Sequence, residues 1–153
     1  MKTITDLTLA GVRKRYESGT TPGQLMAELR QQALSLSEHN AFIHLLTAEE
    51  LQPWLDALEQ RDPAQTPLWG VPFVMKDNID LAGIPTTAAC EAFAYTPDES
   101  AFVVQQLLDA GALPLGKANL DQFATGLNGT RSPWGACRNS FDPSLVSGGS
   151  SAG

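Results

Sequence analysis

Between Trp69 and Gly116 the chain reads as a strand, a helix and a second strand, and that order constrains the fold more than any other feature of the sequence. Trp69-Gly-Val-Pro-Phe-Val-Met75 is short and apolar, with β-branched and aromatic residues, and is bounded by Pro67 and by Lys76-Asp77-Asn78. Such a run predicts a buried strand. Ile79 to Tyr95 is loop-like, with Gly83, Pro85 and two threonines. Asp98-Glu99-Ser100 then predicts the cap of a helix whose Phe102, Val103, Leu107 and Leu108 face inward, with Gly111 as its stop. Ala112-Leu-Pro-Leu-Gly116 follows as the second strand. Strand, helix, strand is the pattern of a right-handed parallel crossover, and ligands of open parallel sheets bind outside the carboxyl ends of the strands. Lys76 follows the first strand, and Lys117 and Asn119 follow the second, so both lysines belong to the edge where chemistry is expected, although surface lysines after strands are common.

Upstream of Leu68 the pattern is helical. Thr5 or Asp6 can cap a short helix running towards Tyr16, with Gly19 as its stop. Thr21 as N-cap and Pro22 at the first helical position open a second helix, with Leu25, Met26, Leu29, Ala33 and Leu36 as its packing stripe. Thr47 to Gln60 reads as a third, through Leu51, Trp54, Leu55 and Leu58, despite Pro53 near its first turn. Arg61 to Pro67 is polar, holds two prolines and forms the entry loop to the next structure. The expected organisation is therefore a helical region over 1–67 and, over 68–153, an α/β part that opens with a βαβ crossover.

Charge and composition narrow the function. Of 153 residues 42% are hydrophobic and 18% charged, enough apolar material for a sizeable core and unlike a disordered chain. Ten basic against seventeen acidic side chains give a net charge of -7 with no cluster of Lys or Arg, so no footprint exists for nucleic acid or an anionic membrane surface. Small molecules are the expected partners. Apolar runs fall far short of the ~20 residues that span a bilayer, and the polar start MKTITDLTLAG lacks a secretory apolar core, so a cytoplasmic location is expected. Cys90 and Cys137 form no CxxC pair, which argues against a disulfide scaffold and a thiolate metal site. The two histidines, His39 and His44, both lie in the helical part. A Ser/His/Asp triad thus has no histidine in the α/β part, and a histidine metal site lacks a third ligand. Neither metal nor cofactor is expected.

The remaining signal is Ser147-Gly-Gly-Ser-Ser-Ala-Gly153. A stretch of this composition is often a flexible terminus or linker. It also contains a formal nucleophile elbow, GxSxG with Ser151 at its centre, but that motif needs a strand before the turn. Asn139 to Val146, with Pro143 and several polar residues, does not supply one. Small residues in a row also let backbone amides converge on an anion and let the peptide adopt unusual geometry. Taken with Lys76, they admit a lysine-based mechanism. A lysine acts as base only when neutral, a form that apolar surroundings favour, and Val74 and Met75 offer such surroundings. Asp77 would point to the opposite face of a continuing strand.

Three stretches in order, WGVPFVMKDNIDLAGIPTTAAC, GKANLDQFATGLNGTRSPWG and SGGSSAG, run from about Leu68 to the last residue and resemble the amidase signature family of amidohydrolases. Within it the likeness is greatest to the branch that hydrolyses allophanate, N-carboxyurea, in urea degradation. The resemblance implies an amidase-signature-like mixed sheet with flanking helices, and amide hydrolysis by a Ser, cis-Ser, Lys triad without a cofactor. By it Lys76 is the proton-relaying base. Ser150, the first serine after Gly148-Gly149, is held on a cis peptide bond and bridges the lysine to the nucleophile, and Ser151 supports the loop. The family's nucleophilic serine lies in a later Gly-Ser motif that these residues do not contain. The 68–153 segment then corresponds to the opening part of the family's α/β domain, and the 153 residues alone are expected to be inactive. Ala152 stands where many relatives carry glycine or serine, a small-for-small change.

By the same analogy Asn119 to Gly126 lines the pocket, with backbone groups of Ala124, Thr125 and Gly126 facing substrate; ordinary packing by Leu120, Phe123 and Leu127 is the competing reading. Gln122 replaces the acidic residue that sibling amidotransferase subunits tend to carry, which favours a free-standing hydrolase. Arg131 and Arg138 could meet a substrate carboxylate, though exposed arginines are commonplace. The resemblance admits a homodimer for the full-length enzyme. Two alternatives stand beside it: another amidase or an A-type glutamyl-tRNA amidotransferase chain, and a non-catalytic anion-binding α/β module in which Lys76 is structural.

Overall fold

The computed structural model describes residues 6–153. Seven regular elements follow one another: α1 (Leu9–Glu17), α2 (Pro22–Ser35), β1 (Phe42–Leu45), α3 (Ala48–Glu59), β2 (Pro72–Lys76), α4 (Phe102–Asp109) and β3 (Leu113–Ala118). Short 3-10 turns lie at Ser37–His39, Glu91–Phe93 and Gln122–Ala124. The three strands form one sheet in the order β1-β3-β2. Leu113 N–H donates to the Val71 carbonyl at 2.8 Å at one end, and Asp77 N–H donates to the Ala118 carbonyl at 3.0 Å at the other, so β2 and β3 run in the same direction. With α4 between them they make the expected crossover. β1 runs antiparallel to β3, pairing Phe42 with Ala118, His44 with Lys117 and Leu45 with Gly116, so the sheet is mixed.

β1 corrects the expectation that the first sixty residues are helical. Phe42-Ile-His-Leu45 is half-buried at every position and shows no alternation. Its conformation comes from the ladder with β3, a partner more than seventy residues away. β3 itself runs to Ala118 rather than stopping at Gly116, so Lys117 lies within the strand. In α4 the inward face is Val104 with half-buried Leu107 and Leu108, whereas Phe102 is 81% exposed and Val103 is exposed as well. Val104, Leu107 and Leu108 share a face at spacings of three and four, and the two residues before Val104 fall off it. Nor does the Asp98–Ser100 stretch cap this helix, which starts at Phe102; the Ser100 hydroxyl accepts instead from Ala82 N–H at 3.0 Å.

The chain divides into two compact units. The first runs through Ser35 and takes in Leu46–Phe73 and Leu107–Leu115. Its core joins Val12, Leu25, Met26, Leu29, Leu51, Leu58 and Leu113, flanked by Tyr16, Trp54 and Trp69. Thr8 caps α1 by accepting from Gly11 N–H at 3.0 Å, while Asp6 accepts from the Thr8 hydroxyl at 2.7 Å and holds the cap rather than being it. Thr5, the other expected cap, lies outside the described residues. α2 opens as expected on Thr21, whose hydroxyl accepts from Gln24 N–H at 3.2 Å. Leu36 is exposed beyond its end. Thr47 and Glu50 close a capping box on α3 at 3.2 and 2.8 Å, with Pro53 inside the helix. Gly111 has φ +91°, and a Cβ there would overlap Thr66, so a glycine is required where α4 turns into β3.

The second unit comprises Leu36–Leu45, Val74–Gln106 and Gly116–Gly153. Beside Met75, Leu81, Ile84, Val104 and Leu120 it buries an unusual set of polar groups: Asp77, Thr86, Thr87, Lys117, Asn119 and Asp121. Buried charges persist only when paired or well hydrogen-bonded, so these residues point to the site. Among the described residues no helix is long and apolar enough to cross a membrane.

Candidate active site

The second unit carries the site by itself. Lys76 is the last residue of β2, and its Nζ donates to Ser150 Oγ at 2.7 Å. Ser150 follows a cis peptide bond from Gly149, after Gly148 at φ +94°. The segment from Ser150 onward is laced along the residues that leave β3. Asp121 N–H donates to the Ser150 carbonyl at 3.0 Å, Leu120 and Ser151 form a bridge, and the N–H groups of Ala152 and Gly153 donate to the Asn119 carbonyl at 3.3 and 3.0 Å. Asn119 is anchored in turn by its Nδ2, which donates to the carbonyls of Asn40 at 2.8 Å and Gly135 at 3.2 Å. Lys76 and Ser150 thus meet beyond the carboxyl ends of the two parallel strands, the edge the topology singles out.

β2 ends at Lys76, and Asp77 begins the turn that follows, so strand alternation does not decide where its side chain goes. Its carboxylate is buried, and Oδ2 accepts from Thr87 N–H at 3.0 Å and from the Thr87 hydroxyl. Oδ1 takes no hydrogen bond and faces the Lys117 ammonium at 3.1 Å as an ion pair. Lys117 Nζ also donates to Thr86 Oγ1 at 2.9 Å and to the Pro85 carbonyl at 3.1 Å. Burial pushes the Lys117 ammonium below its ordinary pKa, and Asp77 works against that shift. Lys117, a candidate on position alone, is a buried structural cation with no free surface.

Asp121 is a second buried carboxylate. Oδ1 accepts from Arg131 N–H at 2.8 Å and Oδ2 from Gly129 N–H at 3.0 Å. Burial opposes its charge, yet backbone N–H groups of Arg131, Gly129, Asn128 and Thr130 hold it below the ordinary carboxylate pKa. Nothing in the motif spacing identified this residue; the only signal was an acidic side chain close behind a strand, followed by the turn-forming Asn128-Gly129.

Ala124 and Thr125 are exposed and Gly126 is buried against the Asp121 carboxylate, which a Cβ at that position would overlap. Phe123 and Ala124 both have positive φ, and Gln122 Nε2 donates to the Ala89 carbonyl at 2.9 Å. The competing packing role holds for Leu120, which is fully buried, whereas Phe123 is 48% and Leu127 87% exposed. Arg131 Nη1 reaches the Thr125 carbonyl at 3.4 Å, and both Arg131 and Arg138 are exposed. Ser151 stands in a bridge with Leu120 after a loop and a cis peptide, not after a strand, which removes the structural context of a nucleophile elbow. Cys90 and Cys137 are unpaired thiols, and burial raises the pKa of Cys137. Among the described residues no group of three or more His, Cys, Asp or Glu could hold a metal ion.

A mixed α/β sheet with a lysine and a cis-linked serine in contact at its carboxyl edge defines the class. The Amidase family profile matches residues 25–153, and the chain belongs to that family. The match begins well upstream of Leu68, so α2, β1 and α3 belong to the family likeness too. Over 115 residues, 74% of this chain, it is 54% identical to the urea amidolyase of Saccharomyces cerevisiae. It is 45% identical over 116 residues to a glutamyl-tRNA(Gln) amidotransferase chain of Lawsonia intracellularis. A solved allophanate hydrolase from Kluyveromyces lactis, in a variant form, superposes with a TM-score of 0.79 at 44% identity over 90% of this chain. The chain spans 6% of the yeast protein's length, 24% of the Lawsonia protein's and 23% of the solved hydrolase.

Proposed function

We propose that this chain supplies the base half of an amidohydrolase of the Ser, cis-Ser, Lys type, acting on allophanate as a step of urea degradation. The observation that carries the reading is the 2.7 Å hydrogen bond from Lys76 Nζ to Ser150 Oγ beside the cis Gly149–Ser150 bond. In the reaction neutral Lys76 takes the Ser150 hydroxyl proton as Ser150 takes the proton of the nucleophilic serine, which this sequence does not contain. The nucleophile's oxygen bonds to the amide carbon, and the same relay run backwards delivers the proton to the departing nitrogen as the C–N bond breaks. Gly148, Gly149 and Ser151 support the Ser150 loop, and backbone groups of Ala124, Thr125 and Gly126 line the substrate pocket. No cofactor takes part. The α/β domain that carries Lys76 and Ser150 is taken to open at residue 68; the described residues before it are helical apart from β1, which joins the same sheet.

Allophanate is favoured over other amides by the identity to urea amidolyase and allophanate hydrolase, and over transamidation by Gln122. Two unpaired thiols suit a cytoplasmic, reducing setting for an enzyme acting on small molecules. In the complete protein that bears this chain, Lys76→Ala should lower ammonia release from allophanate by about 10²–10⁴-fold without shifting the melting temperature. Ser150→Ala should do likewise and Ser151→Ala much less. Full turnover by Lys76→Ala would remove the base assignment and leave the non-catalytic anion-binding module as the better account. Ammonia transfer to glutamyl-tRNA in place of allophanate cleavage would move the protein to the amidotransferase branch.

A further inference from the structure

We propose that Asp121 is the residue that positions Ser150 against Lys76; this rests on the lysine-base reading above. Asp121 is fully buried and grips the serine loop from two sides. Its main-chain N–H donates to the Ser150 carbonyl at 3.0 Å. Its carboxylate meets the residue before Ser150, because a Cβ on Gly149 would overlap Oδ2 and stand 2.8 Å from Gly129 N and 3.0 Å from Asn128 N. The peptide joining Gly149 to Ser150 therefore rests against the carboxylate and the turn it organises. That turn is held by Gly129 N–H on Oδ2 at 3.0 Å and Arg131 N–H on Oδ1 at 2.8 Å, while the Arg131 guanidinium goes to Thr125.

Downstream, Leu120 bridges Ser151 and Asn119 receives Ala152 and Gly153; upstream, Gly129 packs closely on Ser147 and the Gly148 carbonyl. On the Gly149 side the neighbours are the Asp121 carboxylate and the Asn128–Gly129 backbone, which that carboxylate itself holds. Between the Ser150 backbone and its Oγ lies a single rotatable bond, so a backbone held on both sides leaves the hydroxyl little freedom except the rotamer that meets Nζ at 2.7 Å. A carboxylate suits the task because it only accepts, and converging N–H groups can all be satisfied on it; an amide of the same size would turn an NH₂ against one of those donors. Asp121 thereby acts on the relay through Ser150 and touches neither substrate nor the reacting atoms.

The test uses the complete enzyme with Asp121→Asn, Gly149→Ala and the double variant, beside Lys76→Ala. Displacing the serine without altering the substrate pocket should lower kcat by about 10²-fold and leave KM within roughly threefold of the parent, in variants that still melt cooperatively. Because both substitutions disturb one contact, the double variant should fall little below the worse single one. Parental kcat in folded Asp121→Asn, a loss confined to KM, or additive losses in the double variant would each overturn the proposal. Should Asp121→Asn not fold, Gly149→Ala decides by the same criteria. Lys76→Ala at parental turnover overturns the base reading together with this one, whereas inactive Lys76→Ala beside parental Asp121→Asn overturns the positioning role alone.

Discussion

The end of β2 gives neighbouring residues different fates. Lys76 reaches Ser150, and Asp77, one residue on, is buried against Lys117 and Thr87. The one carboxylate adjacent in sequence is thus kept from pairing with the proposed base. That separation was not decided by the two-residue period of a strand, because β2 ends at Lys76 and Asp77 lies in the turn. Asp121 was not legible, since its role depends on a turn at Asn128–Arg131 folding back over it and on the distant Gly149 closing against it. Its carboxyl group is held below the ordinary 3.8, burial being outweighed by four backbone N–H bonds. A depressed carboxyl value means that the unfolded chain binds the proton more readily. The stabilisation is then complete above the unfolded value of about 4 and is lost as pH falls through the lower folded value. Urea midpoints of the parent chain should therefore exceed those of Asp121→Asn clearly at about pH 5 and by less at about pH 3. A difference that does not narrow on acidification would contradict this account.

At the scale of elements, the ends of β2 and β3 are tied by a buried ion pair rather than by apolar contact alone. Lys117 on β3 faces Asp77 at 3.1 Å, with both side chains fully buried. Removing one partner of such a pair leaves a buried charge uncompensated, so Lys117→Met should cost about 3–5 kcal/mol in urea unfolding. Asp77→Asn combined with Lys117→Met should cost less than Lys117→Met alone; an equal or larger cost would show that the pair matters little. The crossover itself could be read from the alternation of apolar runs and Gly/Pro signals, and the capping threonine of α2 from local chemistry. β1 could not be, because Phe42–Leu45 becomes a strand only by pairing with Gly116–Ala118. The same non-local pairing hid the extent of β3. Phe102 and Val103 misled for a different reason: they are apolar, but the helix begins at Phe102 and its buried face starts two residues later.

For the whole molecule, the question is what these 153 residues accomplish by themselves. They bring Lys76 and Ser150 into contact, yet amide cleavage also needs a nucleophile and donors for the developing oxyanion, which are usually among the largest contributions to the rate. The chain spans 23% of the K. lactis allophanate hydrolase, and the family's Gly-Ser motif with the nucleophile is not among its residues. Expressed alone, it should release no ammonia from allophanate above the rate of the Lys76→Ala control, whereas the complete protein should. Its surface carries a separate expectation. Phe141 is 99% exposed, Leu127 87% and Phe102 81%, with Leu145 and Val146 also open to solvent. Apolar side chains left open on this scale favour association. Purified 153-residue material should therefore show concentration-dependent self-association by light scattering. A monodisperse, cooperatively melting monomer with measurable turnover would mean instead that a nucleophile within the 153 residues completes the site, with Ser151 as the first residue to replace.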